Sequence, residues 1–197
     1  AILIDTAFIQ TDRGRRNDAE RTVLPQVFAK KIKRLEALVL TSPEREHSDG
    51  LFTALQHVDV DHLYLPKSAA GLLDKEPLAS LLAERSPQHL VQRAGGTAVA
   101  PEFVAAGDVL YRSEYAGKPF LVEALGPAAG DDQAPLSLRI SYGDTALLVF
   151  SDLTLEQQKN FLAAVPPEKL RADVVVAPHH GTAGLETIVV GIPDDLD

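Results

Sequence analysis

Short apolar runs recur along the chain and predict buried β-strands. The clearest are Ala37–Leu40, Leu147–Phe150 and Val174–Ala177, each typical of a strand inside a sheet. Other apolar stretches, separated by Gly-bearing turns, predict further strands at 1–5, 63–65, 99–104, 109–111 and 120–122. The segments 136–142 and 146–150 predict a hairpin joined at Gly143 and Asp144.

Four other segments predict helices, at 23–33, 50–58, 68–84 and 154–165. Thr22 and Thr154 stand where an N-cap would satisfy the first free backbone N–H groups. Pro25 falls in the first turn of its helix, where its missing N–H costs little, and Pro77 interrupts the third segment. Strands in two batches, each followed by helices, predict a mixed α and β fold.

Composition limits the classes of protein that fit this pattern. A chain of 197 residues with 45% hydrophobic content can bury one substantial core, which predicts a single domain over 1–197. No apolar run approaches the ~20 residues of a membrane-spanning helix. The absence of Cys excludes disulfides and thiolate metal ligands.

The net charge of −9 argues against broad nucleic-acid affinity, but the charge is unevenly distributed. Residues 1–34 carry eight basic side chains against four acidic ones. Three of the arginines, Arg13, Arg15 and Arg16, are predicted to lie in the loop after the first strand. Arginines bind phosphate groups in a bidentate manner, so a phosphate-binding role is one interpretation. A solvated loop is the other.

The chemistry of the chain is concentrated where three predicted strands end. Glu44, Glu46 and His47 follow the first of the three runs, Asp152 follows the second after Ser151, and the third delivers His179 and His180. Carboxylate oxygen and imidazole nitrogen suit a divalent cation. For the acidic motif alone, a solvated charged turn is the simpler alternative.

The order, spacing and flanking residues of these motifs resemble those of proteins with the metallo-β-lactamase fold. The resemblance is strongest to the β-lactamase-like domain of ComEC-type DNA-internalisation proteins. The matching segments are Ile2-Leu3-Ile4-Asp5-Thr6, Val23-Leu24-Pro25, Ile32 to Thr41, Ser151-Asp152, and Ala172-Asp173-Val174 through Pro178-His179-His180-Gly181. The resemblance implies an αββα four-layer sandwich. It also implies a domain excised from a longer membrane protein, or one lacking the first hairpin of the family.

The chain departs from the family pattern within the first motif. Ser42 stands where the family has His, and the two aspartates of the motif appear as Glu44 and Glu46. Ser42 is a poor ligand while neutral and is predicted to be a turn residue. Because metal geometry tolerates only a few tenths of an ångström in ligand distance, the site is expected to hold one Mn²⁺ or Zn²⁺ ion, or none.

The resemblance assigns a role to each candidate residue. Glu44, Glu46, His47, Asp152, His179 and His180 are implied metal ligands, with one of the last two histidines orienting the other. Asp152 and Glu46 are the candidate catalytic residues, and Asp152 would also orient the attacking water. An N-cap ahead of Thr154 is the structural alternative for Asp152, while Asp5 would support the site from behind.

Carboxylate or imidazole atoms of Glu46, His47, Asp152 and His180 are expected to converge in one cleft. Three further histidines are predicted to be structural or surface residues: His57, His62 and His89.

Two functional hypotheses follow. The first is a metal-dependent phosphodiesterase or nuclease domain linked to DNA uptake, with single-stranded DNA as a partner. Such a domain would be tethered to the outer side of the bacterial inner membrane, beside the channel portion of the same protein. The second is a degenerate module that has kept the fold and serves in docking or regulation. A lactonase or thioester hydrolase has less support, since His-x-His-x-Asp-His is absent.

Overall fold

The computed structural model describes residues 1–6, 8–11, 14–17, 19–84, 99–128 and 130–178. The chain divides into two compact units, Ala1–Val104 and Ala105–Asp197. Each unit contains a sheet and helices, so the prediction of a mixed α/β chain with two sheets and accompanying helices is confirmed. The face-to-face packing expected of an αββα sandwich stays a prediction.

The first unit is built on a four-stranded parallel sheet with strand order β1-β4-β5-β6. Its elements are β1 (Ile2–Ile4), β2 (Phe8–Thr11), β3 (Gly14–Asn17), α1 (Leu24–Ala29), β4 (Arg34–Val39), α2 (Arg45–Ser48), α3 (Leu51–His57), β5 (Asp59–Leu65), α4 (Ala70–Leu73), α5 (Leu78–Glu84) and β6 (Pro101–Phe103). Strand β4 is buried on both faces over Ala37–Val39, as parallel sheets require. The predicted continuous apolar run is therefore confirmed as a strand.

Helix α1 is shorter than the sequence predicts and is capped differently. It is preceded by a π-helical turn at Ala19–Val23, and its N-cap residue is Val23, whose side chain makes no capping hydrogen bond, so the prediction of Thr22 as the N-cap is wrong. The helix ends because Lys31 adopts a left-handed conformation with φ 57°. The Lys31 N–H then bonds to the carbonyl of Phe28, and the Ile32 N–H to that of Val27, as in a Schellman motif.

The arginine-rich stretch forms part of a strand where the sequence predicts a loop. Arg15 and Arg16 lie in β3, which pairs antiparallel with β2 through Ile9↔Arg16 and Gln10↔Arg15. Polar residues dominate this pair of strands, so no apolar periodicity marks them. Arg13 lies outside the described residues.

The second unit is built on a five-stranded sheet with strand order β11-β10-β9-β8-β7. Its elements are β7 (Val109–Tyr115), β8 (Lys118–Ala124), β9 (Ser137–Tyr142), β10 (Thr145–Phe150), α6 (Leu155–Ala164), α7 (Pro167–Leu170) and β11 (Val174–Val176). The predicted hairpin is confirmed, with Tyr142 opposite Thr145 and Gly143 at φ 58° in the turn. Strand β11 pairs parallel with β10.

Each unit has its own core. In the first unit, Leu38, Leu40 and Leu63 are fully buried with residues of α1, α3 and α5. In the second unit, β10 packs against α6, and the rings of Phe150 and Phe161 meet edge to face with centroids 5.4 Å apart. These cores fix the strand ends from which the candidate site residues project.

Candidate metal centre

The ends of β1 and β4 are joined by the carboxylate of Asp5. Parallel pairing sets Ile4 opposite Val39, and the Asp5 N–H continues the ladder to the Val39 carbonyl at 2.8 Å. Oδ1 of Asp5 accepts from the backbone N–H of Thr41 at 2.7 Å, and Oδ2 accepts from the Thr41 hydroxyl at 2.7 Å. Asp5 has φ 56°, a left-handed conformation that Asp tolerates better than most residues.

His47 is anchored to the same carboxylate. Its side chain is buried, with only 6% of the residue exposed, and Nδ1 donates to Oδ2 of Asp5 at 2.8 Å. Nδ1 also lies 3.3 Å from the Thr41 hydroxyl oxygen. The backbone is fixed as well, because the His47 carbonyl accepts from the N–H of Thr6 at 3.0 Å and from its hydroxyl at 2.9 Å.

This contact determines the tautomer of the imidazole. A carboxylate is an acceptor only, so Nδ1 carries the proton and the lone pair resides on Nε2. Carboxylate–histidine pairs of this kind orient histidine ligands in metal sites and raise their basicity. The pair formed by Asp5 and His47 therefore fits an imidazole that binds a metal ion through Nε2. It agrees with the supporting place that the resemblance implies for Asp5.

The other residues of the first motif differ in their burial and in their local hydrogen bonds. Ser42 is buried, and its hydroxyl accepts from the Glu44 N–H at 3.2 Å, which agrees with the prediction of a turn residue. Glu44 precedes helix α2 and is exposed, as is Glu46 within it. Successive helical residues point about 100° apart, so Glu46 and His47 project in different directions.

Asp152 follows β10 in a short loop before α6. It is 9% exposed, and the Leu153 N–H bonds to the Ser151 carbonyl at 2.9 Å. The N-cap of α6 is Thr154, whose hydroxyl accepts from the Gln157 N–H at 3.3 Å while the Gln157 side chain accepts from the Thr154 N–H. The prediction of Thr154 as cap is confirmed, so capping of this helix does not account for Asp152.

The convergence of Glu46, His47, Asp152 and His180 in one cleft stays a prediction. His179, His180 and Arg13 lie outside the described residues, and His47 and Asp152 belong to different units. Within the described ranges, no group of three or more His, Asp or Glu residues is placed to hold a metal ion. The donor set of imidazoles and carboxylates nevertheless matches a divalent cation in its chemistry.

Two other histidines have structural partners, as the sequence predicts. His57 Nδ1 contacts the Thr53 carbonyl at 2.9 Å, one turn earlier in α3. His62 Nδ1 contacts Glu102 at 2.8 Å, and its ring stacks on Tyr64. His89 lies outside the described residues.

Sequence reasoning missed the part that Thr41 and Thr6 play. Thr41 binds Asp5 through both its N–H and its hydroxyl, and Thr6 binds the His47 carbonyl. The available signal was the position of both threonines within two residues of an apolar run, since neighbouring parallel strands end at the same edge of a sheet.

No helix in the described part of the chain is long and apolar enough to cross a bilayer.

Comparison with known proteins supports the resemblance drawn from the motifs. The chain is similar to ComE operon protein 3 of Bacillus subtilis (strain 168). The two proteins are 28% identical over 165 residues. That alignment includes 84% of this chain but 19% of the relative, so the chain spans about a fifth of the relative's length. The resemblance to ComEC-type proteins is thus confirmed, although no protein-family model matches the chain.

Solved structures also match over most of the chain. The MIM-2 metallo-β-lactamase aligns with a TM-score of 0.44 at 17% identity, over 90% of this chain and 65% of its own. A diphosphatase from the PhnP family aligns with a TM-score of 0.40 at 18% identity, over 88% of this chain and 54% of its own. Zn²⁺-bound PqqB from Methylobacterium extorquens aligns with a TM-score of 0.41 at 15% identity, over 81% of this chain and 52% of its own.

Proposed function

We propose that this chain is a metal-dependent hydrolase domain that cleaves phosphodiester bonds and is linked to DNA uptake. The observation that carries the proposal is the buried His47, whose Nδ1 is held by Asp5 at 2.8 Å. A buried imidazole oriented by a carboxylate is what a metal site needs from a histidine ligand. The similarity to ComE operon protein 3 supports the link to DNA uptake.

His47 and Asp152 are the residues that would hold the ion. Glu44, Glu46, His179 and His180 would complete its ligands, as the resemblance implies. A bound divalent cation supplies a nucleophile at neutral pH by lowering the pKa of water from about 15.7 towards about 7, and it stabilises developing negative charge. Asp152 would orient the attacking water. Imidazole and carboxylate donors accept either Mn²⁺ or Zn²⁺.

Single-stranded DNA is the substrate that we propose. Arg13, Arg15 and Arg16 supply guanidinium groups in one short stretch, and such groups pair with phosphate oxygens in a bidentate manner. The proposed setting is the outer side of the bacterial inner membrane. There, the channel portion of the same longer protein would be the partner of this domain.

One observation favours a second function, a degenerate docking module. Ser42 occupies the position of a family histidine, and its hydroxyl is engaged with the Glu44 N–H inside a turn. A neutral hydroxyl in that position does not replace an imidazole ligand. Glu44 and Glu46 are also exposed rather than buried beside His47. A module of this kind would keep the fold without binding metal.

Metal binding and hydrolysis by the same chain distinguish the two functions. Elemental analysis of the purified protein comes first, followed by assays on single-stranded DNA with Mn²⁺ titrated well above physiological levels. The hydrolase proposal expects metal-dependent cleavage that collapses in His47→Ala and Asp152→Ala. His57→Ala is the matched control, because His57 is an exposed histidine whose ring bonds locally to the Thr53 carbonyl.

The variant Ser42→His tests the second function directly. If the serine weakens the site, the histidine raises Mn²⁺ affinity or activity above that of the native chain. Background activity in both the native chain and Ser42→His, with no bound metal in either, would refute the hydrolase and favour the docking module. Urea unfolding of each variant establishes that the protein compared is folded.

A further inference from the structure

Gln158 is a buried polar residue close to the loop that carries Asp152. It lies in α6, is 1% exposed, and its Nε2 donates to the Leu153 carbonyl at 2.9 Å. Its backbone N–H bonds to the Thr154 carbonyl at 2.8 Å, so the residue sits in the first full turn of the helix. The side chain therefore reaches back past the helix start to the residue that follows Asp152.

A buried glutamine at this position is costly for the core. Ordering its long, flexible side chain opposes folding. Among the described residues, its Oε1 has no hydrogen-bond partner, which adds the penalty of an unsatisfied buried acceptor. The amide cannot be turned over to improve this, because Oε1 would then face the Leu153 carbonyl oxygen. An apolar residue would fill the same space without an unsatisfied polar atom, so the donated hydrogen bond is what Gln158 contributes.

That hydrogen bond fixes the loop from its far side. Leu153 is held three times: its N–H bonds to the Ser151 carbonyl, its carbonyl accepts from Gln158, and its side chain is buried in the core. Strand β10 fixes the near side of the loop at Phe150. Asp152 therefore stands between two anchored points, and the direction of its carboxylate depends on both.

We infer that Gln158 is a positioning residue for Asp152. Its amide holds the Leu153 peptide so that the Asp152 carboxylate projects in one direction from the end of β10. The inference rests on the proposed function, because it takes Asp152 as a metal ligand. Partners that orient ligands in this way change metal affinity by about 10–100-fold when they are removed.

The test compares Mn²⁺ affinity, measured by calorimetry, in the native chain and in Gln158→Met. Methionine has a similar length but cannot donate, so the affinity is expected to fall about tenfold. Gln158→Leu also removes the donor to the Leu153 carbonyl while keeping an apolar side chain at this position, so it should lose affinity as well. Amide hydrogen exchange at Leu153 should be faster in both variants, because the loop has lost an anchor.

Val60→Ala is the matched control. Val60 lies in β5 and is fully buried in the core of the first unit, which contains neither Phe150 nor Leu153. The variant should lower stability while leaving Mn²⁺ affinity within about twofold, since both anchors of the loop are intact.

The outcomes separate the two proposals. If the native chain does not bind Mn²⁺, or if Asp152→Ala binds it as the native chain does, Asp152 is no ligand and both proposals fail. If Asp152→Ala loses binding while the Gln158 variants keep native affinity, only the positioning role is overturned. An equal loss of affinity in Val60→Ala would likewise overturn it.

Discussion

Replacing Asp5 with Asn should reverse the tautomer of His47 with little change in shape. The native carboxylate accepts from His47 Nδ1 at 2.8 Å and from the Thr41 hydroxyl at 2.7 Å, both through Oδ2. In Asp5→Asn, the Oδ1 position can still accept from the Thr41 N–H, but an NH₂ group faces the imidazole. Nδ1 must then accept, and the proton moves to Nε2. The lone pair that would bind a metal is lost.

The loss of unfolding free energy in Asp5→Asn can be calculated from the three hydrogen bonds that Asp5 accepts. Bonds to a charged group contribute about 1.5–3 kcal/mol each, whereas neutral ones contribute about 0.5–1.5 kcal/mol. All three can be re-formed as neutral bonds in Asp5→Asn. Because the Asp5 side chain is 18% exposed and partly screened, the expected loss of unfolding free energy is about 2–3 kcal/mol. Asn tolerates the left-handed backbone at this position, so no strain is added.

Asp5→Ala should cost more than Asp5→Asn. It leaves the buried donors of Thr41 and His47 without this acceptor, and Ala tolerates the left-handed backbone at φ 56° less well than Asp does. We expect a total loss of about 4 kcal/mol. Both variants lose the charge, so the difference between them measures the loss of acceptors together with the added backbone strain.

Nitrogen-15 NMR of the imidazole reads the tautomer, and urea unfolding reads the stability. The native chain should carry its proton on Nδ1 of His47, and Asp5→Asn on Nε2, with Mn²⁺ affinity reduced about 10–100-fold. Asp61→Asn is the control, because Asp61 in β5 pairs with the exposed Arg34. It should leave the His47 tautomer unchanged and lower the unfolding free energy much less than Asp5→Asn does. An unchanged tautomer in Asp5→Asn would refute the reasoning.

Three further predictions concern the scaffold and are read by urea unfolding. Thr154→Ala removes the hydroxyl that accepts from the Gln157 N–H, and should cost about 1 kcal/mol; no loss would show that the cap is dispensable. Gly143→Ala places a Cβ 3.0 Å from Lys118 Cδ at φ 58°, and should cost about 1–2 kcal/mol; a neutral result would contradict the turn geometry. Gly71→Ala meets nothing within 4 Å in α4 and should gain up to about 1 kcal/mol; a loss would count against the helix.

Much of the fold was predictable from local pattern. The runs around Leu38 and Leu148 are strands because an apolar segment of that length must be buried in a sheet, and both are. Thr154 and Gln157 specify the start of α6 because a capping box needs only residues three apart. The start and end of α1 were not predictable in this way. Lys31, rather than a glycine, adopts the left-handed conformation that terminates the helix.

The candidate site also combines features that the sequence predicts with features that only the tertiary structure decides. The sequence by itself determined which chemical groups are available, carboxylates and imidazoles placed directly beyond buried strands. Only the tertiary structure decided that Asp5, 42 residues before His47, holds its Nδ1, and that Thr41 braces the same carboxylate from 36 residues away. The physical reason is that pattern and capping act over a few residues. A hydrogen bond between distant side chains instead depends on the pairing of β1 with β4, which places the two strand ends side by side.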